Sequence, residues 1–236
     1  AQKTMSNYQE FFGAPEQIKK QIYRVEVPNK YTNQSIKPED FNTIKFILPG
    51  MVSDGRKGQL PLIYAFIEFK QRYYDKNPDD YRNFHLTYVG MSNDFLSRQI
   101  LKHVEKGLGD HFTHHGKLTH KECFEEVLKS NVTICYSMRE CLPMFVYEGM
   151  LAGHPFLRND SSGMEEQLKD GINGYEIPSK DFEGLILTLE KMVNKEKTTN
   201  ATLNKMSKES YKIASELRDV QYTTINEAIE RSFING

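Results

Sequence analysis

From residue 43 to residue 178 short apolar runs and amphipathic helical stretches take turns along the chain, and no other feature narrows the fold as much. TIKFIL at 43–48, FHLTYV at 84–89 and VTICY at 132–136 are short runs bounded by turn residues, as are 111–115, 155–157 and 174–177, and all six read as strands. Between them, 60–74, 94–106, 119–128, 142–152 and 164–169 carry helical spacing. The stretch 94–106 is typical: Phe95, Ile100, Leu101 and Val104 form a stripe beside Arg98, Lys102 and Glu105. Thr119 and Glu122 have the spacing of a reciprocal cap at a helix start. Helix-length crossovers imply parallel strands, so the pattern predicts an α/β fold, a doubly wound and mostly parallel sheet with helices on both faces.

The ends of the chain depart from this rhythm. Residues 1–42 offer a helix over about 5–20, a strand over 23–27 and a polar stretch over 29–40. They read as a linker and the remnant of a preceding unit. Residues 179–236 are helical only, with helices expected at 181–194, 198–217 and 220–234. The chain opens at Ala1 rather than methionine, which points to a piece of a longer polypeptide. The first twenty residues hold no apolar core, so no secretory leader is expected.

In a doubly wound sheet, ligands sit outside the carboxyl ends of the strands. Those ends fall at 49–58, 90–93, 116–120, 137–143 and 159–163. Lys and Arg number 31 against 32 Asp and Glu, a balance that gives no electrostatic case for nucleic acid or an acidic membrane surface. The 3 cysteines, Cys123, Cys135 and Cys141, form no CxxC pair, so neither a disulfide framework nor a zinc ribbon is suggested and the cytoplasm is the expected compartment. They read as small packed hydrophobes, with Cys141 the one that falls in a ligand loop.

The loop from Gly50 to Gly58 has the glycine spacing of a phosphate loop, but Arg56 stands where that motif requires lysine and no Ser or Thr follows to hold magnesium. What remains is a glycine-bordered loop with Arg56 and Lys57 leading into a helix, which suits phosphate. Glu140 precedes the helix at 142–152 and Glu148 lies inside it, in an apolar stretch where a carboxylate needs a partner or a ligand. A salt bridge to a neighbouring Lys or Arg would satisfy Glu148 equally well. His111, His114 and His115 invite a metal reading, yet adjacent strand residues point to opposite faces, and no metal site is expected.

Taken together and in order, these segments resemble the C-terminal half of a GT-B fold glycosyltransferase of the retaining family 4 group, over about residues 43–178. PGMVSDGRKG resembles the family's first donor loop and LTYVG a strand end. The stretch from Phe112 to Pro155 resembles its longest signature, with Glu140 and Glu148 in a Glu-x7-Glu spacing. NDSSGMEEQLKDGINGYEIP follows its Gly-x-x-Glu and Asp-Gly-x-x-Gly pattern. The resemblance implies a Rossmann-like domain that binds a nucleotide-diphosphate sugar. Gly50, Arg56 and Lys57 would meet the diphosphate, and Gly116, Lys117 and Leu118 would hold the base. Glu140 would lie near the sugar, with Lys57 its catalytic partner at the leaving group. Leu142, Pro143 and Met144 would offer backbone to phosphate or sugar, and Glu148 would accept from the ribose hydroxyls. No cofactor and no obligatory metal are implied.

The family arginine after the first glycine is replaced here by Met51, with Arg56 as the available substitute. That departure keeps a second reading open, a catalytically degenerate nucleotide-sugar-binding module acting as scaffold or sensor. An epimerase or phosphorylase of the same fold, or a flavodoxin-like regulator, would want a pyridoxal lysine, a carboxylate cluster or a flavin loop that the strand ends do not offer. The resemblance also implies a missing N-terminal acceptor domain, onto which the helix at 220–234 would pack. Any docking at the inner membrane face would fall to that domain.

Overall fold

The computed structural model describes residues 41–50, 57–91, 94–138, 143–160 and 164–234, with side chains up to 217. Six strands form one parallel sheet: β1 (Thr43–Pro49), β2 (Asn83–Val89), β3 (Phe112–His115), β4 (Val132–Cys135), β5 (Phe156–Asn159) and β6 (Gly174–Ile177). Their spatial order is β3-β2-β1-β4-β5-β6, the doubly wound order of a Rossmann-like fold. The first connection from β1 turns toward β2, and the chain later returns to place β4 on the other side of β1. The switch point therefore lies between the carboxyl ends of β1 and β4.

Alternation along the strands divides the core between the two faces. Phe46, Leu48, Leu86, Ile134 and Leu157 point to one face. It is covered by α1 (Gln59–Phe69), α2 (Phe95–Leu108) and α5 (Phe182–Val193). Ile47, Cys135 and Phe156 point to the other. There α3 (His120–Lys129), α4 (Met144–Leu151) and the first half of α6 (Asn200–Ile234) supply Val127, Met150 and Ala214. Phe41, just ahead of β1, is buried in the first of these layers.

The expected helix at 60–74 is present but changes pitch: α1 passes at Lys70–Tyr74 into a π-helical turn. Tyr74, at the end of that turn, meets Phe84 and His111 edge-on, each with ring centroids 5.1 Å apart. Two expectations are corrected. The segment 164–169 is a turn rather than a helix: Gln167 and Leu168 bond back to the Met164 carbonyl, and the Asn173 side chain then captures Lys169 N–H and the Gln167 carbonyl. A side-chain amide has replaced the next helical rungs. The two helices expected at 198–217 and 220–234 are one, α6, because neither glycine nor proline interrupts the ladder between them.

Candidate functional site

Two helices start at the switch point, α1 after β1 and α4 after β4, and their first turns differ from those of the flanking helices. Asp94 caps α2, Thr119 caps α3 and Asp181 caps α5, each accepting a hydrogen bond from a first-turn N–H. The residues ahead of α1 and α4, Gly58 and Pro143, supply no side-chain cap, and neither first turn carries an acid. Among the described residues no side chain caps the leading N–H groups of either helix, and the positive ends of two helix dipoles meet at one crevice. That is the arrangement an anion needs.

Glycine makes the close approach at the crevice possible. Gly58 sits in the left-handed region (φ 63°), and a Cβ there would lie 2.4 Å from the Tyr136 carbonyl oxygen at the end of β4. Only a residue without a side chain lets the start of α1 rest on β4. Behind it Gln59 is 2% exposed and donates its amide to the Pro49 carbonyl (3.2 Å). Its Oε1 is buried without a hydrogen-bond partner among the described residues. On the far side, Gly50 N–H donates to Val89 O (2.8 Å) and the Tyr88 hydroxyl donates to Gly50 O (2.5 Å), which ties the β1 loop to the end of β2.

Glu148 is the buried acid of the site, 3% exposed in the middle of α4. His120 Nε2 lies 2.7 Å from its Oε1. One partner of Glu148 is thus a histidine at the first position of α3. Next to it, burial, and then the charges of Glu148 and Glu126, push the Cys123 thiol up.

Gly50 follows β1 and Lys57 leads into α1 on one side of the switch point; Pro143 and Met144 open α4 on the other, with Glu148 one turn further along it. Gly116, Lys117 and Leu118 follow β3 at the same end of the sheet; the first two are exposed, and Leu118 packs on Ile47, Val89 and Val127. Arg56, Glu140 and Leu142, like Met51 and Cys141, lie outside the described residues. The three histidines of the metal reading go separate ways: His111 to Phe84 O (2.8 Å), His114 to Gly90 O (2.9 Å) and a stack on Tyr88, His115 toward Glu126 (3.4 Å). Among the described residues no three metal-ligating side chains gather. Gln59 and His120 are site residues the sequence reading missed. The Thr119–Glu122 capping spacing, at a strand's carboxyl end, was the signal that could have singled out His120.

A model of the family described as glycosyl transferases group 1 matches residues 34–213. The chain belongs to that family. In this glycosyl transferases group 1 chain, 71 residues (30% of it) are 34% identical to 19% of a Bacillus subtilis (strain 168) protein named by inference as glycosyltransferase EpsD. Its fold is similar to sucrose-phosphate synthase from Thermosynechococcus elongatus: TM-score 0.64, 18% identity, 82% of this chain and 46% of that one. It is also similar to Anabaena HepE, solved in complex with UDP and glucose: TM-score 0.60, 18% identity, 83% and 49% coverage. The chain thus spans about half the length of these solved structures, and less of EpsD.

Proposed function

We propose that this chain is the donor-binding part of a retaining glycosyltransferase that moves a sugar from a nucleotide diphosphate to a glycan, lipid or protein acceptor. The observation that carries the reading is the pair of helix starts, α1 and α4, that no described side chain caps, at one switch-point crevice beside a buried carboxylate. The leading N–H groups take the diphosphate, and Lys57 with Arg56 adds the positive charge that stabilises it as leaving group, without an obligatory metal. Glu148 takes the ribose hydroxyls, Gly116 to Leu118 the base, and Glu140 the sugar. The acceptor site belongs to an N-terminal domain upstream, against which the end of α6 packs, so this chain alone binds donor and transfers nothing.

Calorimetric titration with UDP, GDP, ADP and CMP tests the reading. Saturable binding of one diphosphate, weakened at least about tenfold, or about 1.4 kcal/mol, by Glu148→Ala, is the expected result. Folded chain that binds none of them overturns it. Met51 favours a second reading, the degenerate module. There Met51→Arg should tighten diphosphate binding clearly, whereas in the enzyme reading Arg56 already fills the role and little changes.

A further inference from the structure

Phe95 and Leu96, the first two residues of α2, are 71% and 68% exposed, and no other large apolar side chain among the described residues is half exposed. The buried residues of α2 are Ser97, Leu101, Val104 and Leu108. The stripe expected at 94–106 thus keeps Leu101 and Val104 but loses Phe95. About two and a half turns separate Phe95 from Val104, which puts the ring on the opposite side of the helix. α2 lies beside α1, with His103 against Tyr64 (ring centroids 5.6 Å), and a Cβ on Gly107 would lie 3.1 Å from Ile67. Leu60, exposed in the first turn of α1, comes one turn before Tyr64, and Leu96 comes two turns before His103. Both leucines therefore fall on the facing sides of the two helices, at the crevice end of the sheet.

Below this tip the outward line of α2 is basic. Phe95, Gln99, Lys102 and Lys106 follow one another at helical spacing, and all are exposed. The nearby acids are placed elsewhere. Asp94 turns back into the helix start, accepting from Ser97 N–H (2.8 Å) and from its hydroxyl (2.5 Å). Glu105 shares a flank with Arg98, and Glu68 of α1 comes two turns after Leu60, toward the other end of the sheet. The even charge of the whole chain hides this local bias.

We propose that the start of α2 docks on a bilayer surface that carries anionic lipid. Phe95 and Leu96, with Leu60 behind them, enter the interface, and Lys102 and Lys106 lie over the headgroups on flexible stems. The line from Phe95 to Lys106 is about 16 Å long. A protein pocket would cover the apolar pair and leave that line unused, whereas a flat anionic surface engages both ends of it. The contact is made by side chains at a helix start; among the described residues no helix is long and apolar enough to cross a membrane. It holds the crevice end of the sheet nearest the bilayer. The proposal stands apart from the donor reading, since no nucleotide takes part.

Flotation of the full chain tests it, with vesicles of phosphatidylcholine alone and of phosphatidylcholine and phosphatidylglycerol in equal parts. Wild type should float with the mixed vesicles and not with phosphatidylcholine alone, and binding should fall as salt rises. Phe95→Ser with Leu96→Ser, and separately Lys102→Gln with Lys106→Gln, should each weaken binding at least about tenfold. All four side chains are exposed, so both double variants should melt with wild type. The chain contains no tryptophan, so Phe95→Trp reports on the tip alone, and its emission should shift to the blue when mixed vesicles are added. Wild type that floats with neither vesicle overturns the proposal, as does equal flotation with both. So does vesicle binding that both double variants retain, or that leaves the tryptophan emission unmoved. Self-association that Phe95→Ser with Leu96→Ser abolishes, without flotation, gives the patch to a second copy and also overturns it. In every case the nucleotide titrations read the donor site separately.

Discussion

The two sides of the crevice are built from different materials. On the β1–β3 side, under α1 and α2, the filling is aromatic: Phe46 meets Phe66 edge-on at 5.0 Å, Phe66 stacks on Phe84 at 6.2 Å, and Phe69 meets Phe84 at 5.2 Å. On the β4–β6 side the buried layer is threaded with polar groups. His154 Nδ1 bonds the Thr133 hydroxyl (2.9 Å), Asn173 donates to Gln167 O (2.8 Å), Ser210 to Asn173 O (3.2 Å) and Tyr147 to Ala214 O (2.6 Å). Arg158, 5% exposed, pairs with Glu176 at 2.5 Å. The aromatic side holds its shape by area and ring geometry, which do not depend on proton concentration. The polar side holds its shape only while each buried group keeps its partner and its protonation state. The switch-point crevice runs along the boundary between the two.

Three measurements would break or sharpen that contrast. The largest effect belongs to the aromatic side. Phe84→Ala removes the ring on which four others converge, Phe66, Phe69, Tyr74 and His111. It should cost about 3–5 kcal/mol in urea unfolding. A loss under about 1 kcal/mol would show that the rings do not carry this side.

The next effect belongs to the polar side. Burial holds His154 at about 4, against an ordinary 6.5, with a backbone hydrogen bond at Ser130 opposing only in part. The folded state keeps this imidazole neutral while the unfolded chain protonates it. Its contribution is therefore whole above pH 6.5, declines as pH falls below 6.5, and is exhausted near pH 4. Over that window the chain should lose about 3 kcal/mol of stability. Urea midpoints measured from pH 7 to pH 4 read this directly, and His154→Gln should flatten the slope. A wild-type midpoint that stays level over that range would contradict the assignment.

The smallest of the three concerns packing next to Glu148. A Cβ on Gly149 would fall 2.1 Å from the Thr133 hydroxyl, so Gly149→Ala must lift α4 from β4. The expected cost is about 1–3 kcal/mol. Nucleotide binding should weaken with it, since Glu148 moves with the helix; unchanged affinity in folded Gly149→Ala would separate the carboxylate's position from the packing beneath it.

Much of the frame could be read before folding. β1 and β4 are apolar, β-branched runs, and the Thr119–Glu122 spacing gives a cap that the structure closes in both directions. These are local signals, decided within a few residues. The misread turn at 164–169 depends on Asn173, whose amide competes with the helix from beyond the segment. The contact of Glu148 with His120 was not legible for a similar reason. Nothing near residue 148 marks it, because His120 arrives through the packing of α3 beside α4. Gln59 was hidden too, since a glutamine at a helix start reads as solvated until the fold buries it.

The pairing of β1 with β4 has a mechanical consequence. β1 runs alongside β2 from Thr43–Asn83 to Pro49–Val89, but against β4 only Phe46–Val132 and Ile47–Thr133 are in register. Asn131 lengthens this short ladder by hand, accepting from Lys45 N–H (2.7 Å) and donating to Thr43 O (2.9 Å) at the end away from the crevice. The seam is thus stitched at one end and short at the other. Pulled across its strands, the sheet would part there first, opening like a hinge whose pin is Asn131 and whose free edge is the crevice end of β1 and β4.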